Sequence, residues 1–303
     1  MSQGRRDRSG LIVVDKPAGL TSHDVVARVR RLAGTRRVGH GGTLDPLATG
    51  VLLVGVQRAT RLLGYITGSD KTYSATIRLG QSTVTDDAEG EVVTQTSARG
   101  VADEAVRAAL LAFLGEIDQV PSSVSAIKVG GVRSHARVRA GVDVELPARR
   151  ITISRLDMVA VRRVSGGQVV LDVDVDVACS SGTYVRAIAR DLGSVLGVGG
   201  HLTALRRTAV GDFTLADAVT LEELEGREDP VLLPLSAAAE RLFARREADA
   251  VEAKVLRHGG PIEPIGLTGP YAVFAPDGGV IAIVTERDGR ARPEVVLSPA
   301  EGN

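Results

Sequence analysis

One loop carries most of the residues able to do chemistry. Asp45 sits in the string Gly39-His40-Gly41-Gly42-Thr43-Leu44-Asp45-Pro46-Leu47-Ala48-Thr49-Gly50-Val51-Leu52. The proline after it pushes the aspartate out of the helical region toward an extended conformation. Glycines on one side and Ala-Thr-Gly on the other let a ligand or another backbone come close to the carboxylate. A ligand could thus reach the carboxylate, and ordinary Asp-Pro turn chemistry is the competing explanation. Other chemistries lack their signatures. No lysine stands where a Walker A loop needs one, and Leu44 occupies the third-glycine position of a dinucleotide fingerprint. The five histidines form no HExxH or paired spacing. Asp172, Asp174 and Asp176 repeat at strand period, without the glycine and glutamate of a calcium loop, and read as a solvated strand face. Cys179, alone in the chain, excludes internal disulfides and a thiolate-rich zinc site, and reads as buried filler at a strand end.

The elements that must position Asp45 follow from periodicity. Residues 11–14 read as a buried strand ended by the turn Lys16-Pro17-Ala18-Gly19. Thr21 or Ser22 caps a helix to Leu32, with Val25, Val26, Val29 and Leu32 on one face. Residues 34–50 have no regular period and lead into the apolar run 51–54. Lys71–Leu79 alternates cleanly, placing Tyr73, Ala75, Ile77 and Leu79 on one face. Residues 103–114 predict a helix closed by Gly115, and residues 169–177 a strand that turns through Ser180-Ser181-Gly182 into a helix from about Thr183 to Leu192. Residues 119–150 are irregular and basic and read as an insertion. Two Asp-Gly turns, Asp277-Gly278 and Asp288-Gly289, divide the end of the chain into a small β-meander. Strands joined by both hairpins and helices predict a mixed α/β or α+β core.

The chain has 303 residues, 44% of them hydrophobic and 24% charged, enough for two modest domains and a real core. No run of eighteen apolar residues and no secretory leader pattern is present, so a cytoplasmic protein without a membrane span is expected. The zero net charge hides an asymmetry: residues 1–60 hold ten bases against four acids, and residues 211–250 the reverse, four against ten. A basic surface on a neutral protein points toward nucleic acid.

The loop around Asp45 resembles the catalytic segment of the tRNA pseudouridine synthase B (TruB) family. Further segments resemble that family in collinear order over roughly residues 10–225: Val13-Val14-Asp15-Lys16-Pro17-Ala18-Gly19, Lys71-Thr72-Tyr73 with Leu79-Gly80-Gln81-Ser82-Thr83-Val84-Thr85-Asp86, Pro121-Ser122-Ser123-Val124-Ser125-Ala126-Ile127-Lys128, Cys179-Ser180-Ser181-Gly182-Thr183-Tyr184-Val185-Arg186, and Leu205-Arg206-Arg207. The resemblance implies isomerisation of uridine to pseudouridine at position 55, in the T arm of tRNA. Reactant and product are isomers, so no redox cofactor, ATP or metal is expected.

The resemblance also implies roles. Asp45 is the reacting carboxylate, Arg186 its partner, and Tyr73 stacks on the target base and moves a proton. His40 fills the space left by the extruded uridine. Tyr184 and Leu205 are expected at the substrate, Lys16 near the site as either a buttress or a substrate contact, and Lys128 and Arg37 at phosphates. Gly41 stands where the family often has threonine, which implies a more mobile loop. The implied architecture is a pseudouridine-synthase-like core with a mostly antiparallel sheet and flanking helices. Its expected parts are a disordered basic arm (1–9), a catalytic domain (10–245) with an RNA-gripping insertion (119–150), and a PUA-like β module (246–303). The expected protein is a monomer whose partner is the tRNA T-arm stem-loop. Attack at C1′, attack at C6 and elimination through a glycal all remain compatible with Asp45. A glycosylase using the same aspartate, or an RNA-binding protein that folds tRNA, are the alternative functions.

Overall fold

The apolar runs 11–14 and 51–54 lie side by side at the centre of the protein. They belong to β1 (Gly10–Lys16) and, beyond β2 (Val38–His40), to β3 (Thr49–Val56). β1 and β3 pair antiparallel from Gly10↔Val56 to Lys16↔Gly50. Ile12, Val14, Leu52 and Val54 face one core; Leu11, Val13, Val51 and Leu53 face a second. Strands covered on both faces need apolar residues at every position, hence the unbroken runs.

The computed structural model describes residues 8–122, 128–129, 132–133, 146–164 and 167–300. Most of the expected basic arm and of the expected insertion lies outside these residues. The remaining strands are β4 (Lys71–Leu79), β5 (Gln81–Thr83), β6 (Val92–Gln95), β7 (Gly115–Gln119), β8 (Lys128–Val129), β9 (Val132–Arg133), β10 (Arg149–Val164), β11 (Val170–Cys179), β12 (Gly200–Val210), β13 (Phe213–Thr214), β14 (Leu233–Pro234), β15 (Ala244–Glu247), β16 (Tyr271–Phe274), β17 (Val280–Arg287) and β18 (Arg290–Val296).

Ten strands form the main sheet in the order β14-β1-β3-β12-β4-β11-β10-β7, with β2 on β3 and β13 on β12. Its pairing is antiparallel except where β12 meets β3 in parallel, Arg206↔Thr49 and Arg207↔Gly50. The fold is therefore α+β with a mostly antiparallel sheet, as expected. Helices α1 (Ser22–Leu32), α3 (Asp103–Leu111), α4 (Val185–Val195) and α5 (Leu221–Glu225), with α2 (Leu63–Gly68) between the first two in sequence, cover the sheet. Val25, Val29, Val106, Leu110, Ile188 and Leu192 enter the first core. The second core is closed by α2, by α6 (Leu235–Leu242) and by Ala272, Phe274, Ile283 and Leu297 of the C-terminal region. There β15, β16, β17 and β18 form a second sheet, with α7 (Ala250–Arg257) against it. The expected meander is present. The expected boundary at 245/246 falls inside β15, which pairs parallel with β16. Among the described residues no helix is long and apolar enough to cross a membrane.

Three expectations change. The helix from Asp103 ends at Leu111, because Gly115, at φ 89°, already turns the chain into β7. The helix expected from Thr183 begins at Val185. The aspartates of β11 are not simply solvated. Asp172 takes two 2.7 Å hydrogen bonds from Arg78, Asp176 accepts from Ser74, and Asp174 accepts from Thr76 and Arg162. Each is matched across the strand pair.

Candidate active site

The Asp45 loop joins β2 to β3, and its backbone is held from three sides. Ser22, buried at the start of α1, accepts from Leu44 N–H at 2.8 Å and donates to the Leu44 carbonyl at 3.0 Å. Lys16, at the end of β1 and fully buried, donates from Nζ to the carbonyls of Leu20 (2.6 Å), Pro17 (2.9 Å) and Pro46 (3.3 Å). Arg207 of β12, 1% exposed, donates to Val51 O (2.7 Å), Gly42 O (3.2 Å) and Thr43 O (3.4 Å). The strand crossing that allows this requires Gly50: its φ is 97°, and a Cβ there would lie 2.2 Å from Arg207 O. Gly41 is also tightly packed, since a Cβ would lie 2.6 Å from Ile66 Cγ2. The loop expected to be mobile is instead filled in by α2.

Across the cleft, Tyr184 caps α4 and Arg186 lies in its first turn. Arg186 is 5% exposed. Its Nε lies 3.0 Å from Asp45 Oδ2 and 3.6 Å from Asp87 Oδ2, and Nη1 donates to Thr85 O at 2.9 Å. The two carboxylates differ in environment: the Asp45 side chain is 38% exposed, that of Asp87 only 4%. Asp87 is anchored by Thr85 Oγ1 and by the Glu89 N–H. Asp45, Tyr73, Tyr184, Arg186, Leu205 and Arg207 are among the residues lining one cavity of about 320 Å3, within the range of small-molecule sites. Tyr73, on β4, is nearly buried; desolvation pushes its phenol up, while Arg207 beside it pulls the other way. The phenol is therefore a neutral hydrogen-bonding group at neutral pH.

Five of the expected site residues thus converge: Asp45, Tyr73, Tyr184, Arg186 and Leu205. His40 is outside the cavity lining and packs edge-to-face on His23 at 5.4 Å; burial, then His23, lowers its pKa and favours the neutral ring. Lys16, expected near the site as either a buttress or a substrate contact, is turned inward. Burial lowers it to about 8, and its bonds to three carbonyls make it a brace for the loop. Arg37 is exposed beside β2. Lys128 contributes its backbone to β8, and its side chain lies outside the described residues. Cys179 is buried, as expected, and its thiol is pushed up to about 11. Sequence reasoning missed Ser22, Asp87 and the loop-pinning role of Arg207. Asp87 directly follows a segment already singled out, whereas Ser22 had no signal beyond helix capping.

A family model described as TruB family pseudouridylate synthase (N terminal domain) matches residues 30–185. Models described as tRNA pseudouridylate synthase B C-terminal domain and tRNA Pseudouridine synthase II, C terminal, match residues 186–239 and 243–298. The chain is 58% identical over 301 residues to a protein of Arthrobacter sp. (strain FB24) named tRNA pseudouridine synthase B, covering 96% of this chain and 97% of that one. A protein of the same name from Rhodococcus jostii (strain RHA1) is 57% identical over 293 residues, covering 96% and 95%. Among solved structures, that of an H/ACA RNP bound to a substrate RNA containing 2′-deoxyuridine matches with TM-score 0.69 at 22% identity, over 96% of this chain and 86% of that one. The archaeal box H/ACA sRNP Nop10-Cbf5 complex gives 0.67 at 25% identity, with the same coverages. These two likenesses concern the fold.

Proposed function

This chain belongs to the TruB family of pseudouridylate synthases, and from that premise we propose that it converts uridine to pseudouridine at position 55 in the T arm of tRNA. The observation that carries the reading is the Arg186–Asp45 contact of 3.0 Å at the wall of a cavity also lined by Tyr73 and Leu205. The reaction breaks the N1–C1′ bond, turns the base, and forms a C5–C1′ bond; the C5 hydrogen leaves as a proton. It needs a carboxylate to attack or stabilise the electron-poor sugar or base, and a group to move the proton.

Asp45 has the exposure such a carboxylate requires, on a loop whose flanking carbonyls are held by Lys16 and Arg207. Arg186 fixes its direction and offsets the loss of solvent when a base fills the cleft. Tyr73 and Leu205 supply the apolar walls against which a flipped uracil stacks. His40, a planar ring beside the loop, fills the place in the RNA that the base vacates. The exposed arginines near β2, Arg36 and Arg37, meet phosphates. The C-terminal β-sheet serves as a PUA-like RNA-binding unit.

The test is Asp45→Asn. Tritium release from 5-tritiated uridine in a T-arm stem-loop should be abolished, with RNA affinity held within a few-fold. Appreciable turnover by this variant would move the chemistry elsewhere, and release of free uracil by the native protein would mark a glycosylase.

A further inference from the structure

Gln119 is an unusual residue for its position. It is the last residue of β7, at the edge of the main sheet, and is 3% exposed. A buried amide destabilises a fold unless both its donor and its acceptor are used. Here both go to a single residue. Gln119 Oε1 accepts from the Tyr184 N–H at 2.8 Å, and Gln119 Nε2 donates to the Tyr184 carbonyl at 3.1 Å. Those groups belong to the two peptide planes on either side of the Tyr184 Cα. One side chain therefore fixes both torsions of Tyr184, φ −103° and ψ 105°, at the point where the chain passes from extended to helical. Tyr184 lines the cavity, and Arg186 follows two residues later. The helix has no side-chain cap of its own; its first N–H groups, of Ala187 and Ile188, also bond the Tyr184 carbonyl, and the clamp ties that same carbonyl and the preceding N–H to the sheet. The next residue adds a second tie one and a half turns along α4, where Arg190 Nη2 donates to Val120 O at 2.8 Å.

We infer that Gln119 is a positioning residue for the isomerisation: by clamping Tyr184 it sets where the Arg186 guanidinium meets Asp45. This rests on the reading of Asp45 and Arg186 given above. A displacement of about 1 Å in a reacting constellation lowers rates about 10²-fold, and loss of the clamp leaves the first turn of α4 free to shift by that order.

The experiment compares Gln119→Leu, Gln119→Glu and Asp45→Asn with the native protein on one T-arm stem-loop, measuring single-turnover rate, Kd and Tm. Gln119→Leu should lower the rate about 10- to 100-fold, with Kd within about threefold. Gln119→Glu keeps the acceptor for the Tyr184 N–H but, when ionised, has no donor for the carbonyl. A buried carboxyl takes up a proton readily, and the protonated acid regains that donor. Its rate relative to the native protein should therefore climb as pH falls from 8 to 6. A purely structural role would lower Tm and the active fraction, with the rate per folded molecule native at every pH. The inference is overturned by a Gln119→Leu rate within twofold of native. It is equally overturned by a loss that tracks the folded fraction, or by a pH-independent ratio for Gln119→Glu. Should Gln119→Leu fail to fold, the pH ratio of Gln119→Glu, taken per folded molecule, decides alone. Inactive Asp45→Asn beside fully active Gln119 variants rejects only this inference, whereas active Asp45→Asn rejects the underlying reading of the site.

Discussion

Arg186→Lys should lower the single-turnover rate about 10²-fold while leaving affinity for the T-arm stem-loop within a few-fold. Arg186 uses two different nitrogens in different directions, Nε toward Asp45 and Asp87 and Nη1 toward Thr85 O. A lysine ammonium is one point on a flexible stem and cannot occupy both places. The Asp87 side chain is 4% exposed and Asp45 38%, and an unpaired charge costs most where water is least available. The ammonium should therefore settle toward Asp87 and the Thr85 carbonyl, leaving Asp45 without its partner. One lost charge-assisted hydrogen bond is worth about 1.5–3 kcal/mol, and about 2.7 kcal/mol in the barrier is a factor of 10². Tritium release under single turnover gives the rate, and filter binding of the same preparation gives Kd. If Arg186 merely contacts a phosphate, lysine serves as well; a native rate in Arg186→Lys refutes the assignment.

Gly50→Ala should lower stability by about 1–3 kcal/mol, read as a fall in Tm, because its φ of 97° and the Arg207 carbonyl 2.2 Å from a new Cβ both oppose a side chain. A native Tm would contradict that geometry. Ser22→Ala strips Leu44 of partners for both its N–H and its carbonyl, so denaturant melts should show a loss of about 1–3 kcal/mol; turnover should fall as the loop loosens, and unchanged values would mean that water replaces the hydroxyl. Burial moves the Cys179 thiol from 9.0 to about 11, so the folded state holds its proton more tightly than the unfolded chain. This contribution to stability is fully present below pH 9 and is lost as pH rises toward 11. Iodoacetamide at pH 8 should leave the native protein unlabelled by mass spectrometry, and rapid labelling would contradict the burial.

Elements with an unbroken period were legible in the sequence. The Thr21 cap and the valine face of α1 fall where expected, and β4 shows the alternation read from it, with Ala75, Ile77 and Leu79 buried. β10 and β12 were not legible, although they are among the longest strands. In β10, register shifts between Ile153 and Arg155 and between Met158 and Ala160 move the inward set from Ile151 and Ile153 to Leu156. β12 shifts between Leu202 and Ala204 and between Arg207 and Ala209. Each bulge reverses which residues face inward, so a period-two search finds only fragments. The cavity residues could be read because they lie in motif-like strings. The groups that hold them could not. Gln119 meets Tyr184 across 65 residues, Arg186 meets Thr85 across 101, and Ser22 meets Leu44 across 22. Their identities are commonplace in isolation, and only the packing of distant segments gives them a function.

The second core has a thermodynamic consequence. Leu11 and Val13 of β1, with Val51 and Leu53 of β3, the strand that follows the Asp45 loop, share that core with Ala272, Phe274, Ile283 and Leu297 of the C-terminal region. Tyr65 also donates to Glu294 at 2.8 Å across the same boundary. Apolar surface common to two sheets couples their unfolding, because neither sheet can open without exposing the other's side of the contact. Calorimetry should therefore show a single cooperative heat-absorption peak. A chain ending before β15 would lose the cover over α6 and should melt earlier, so the smaller sheet helps hold the larger one together as well as adding surface.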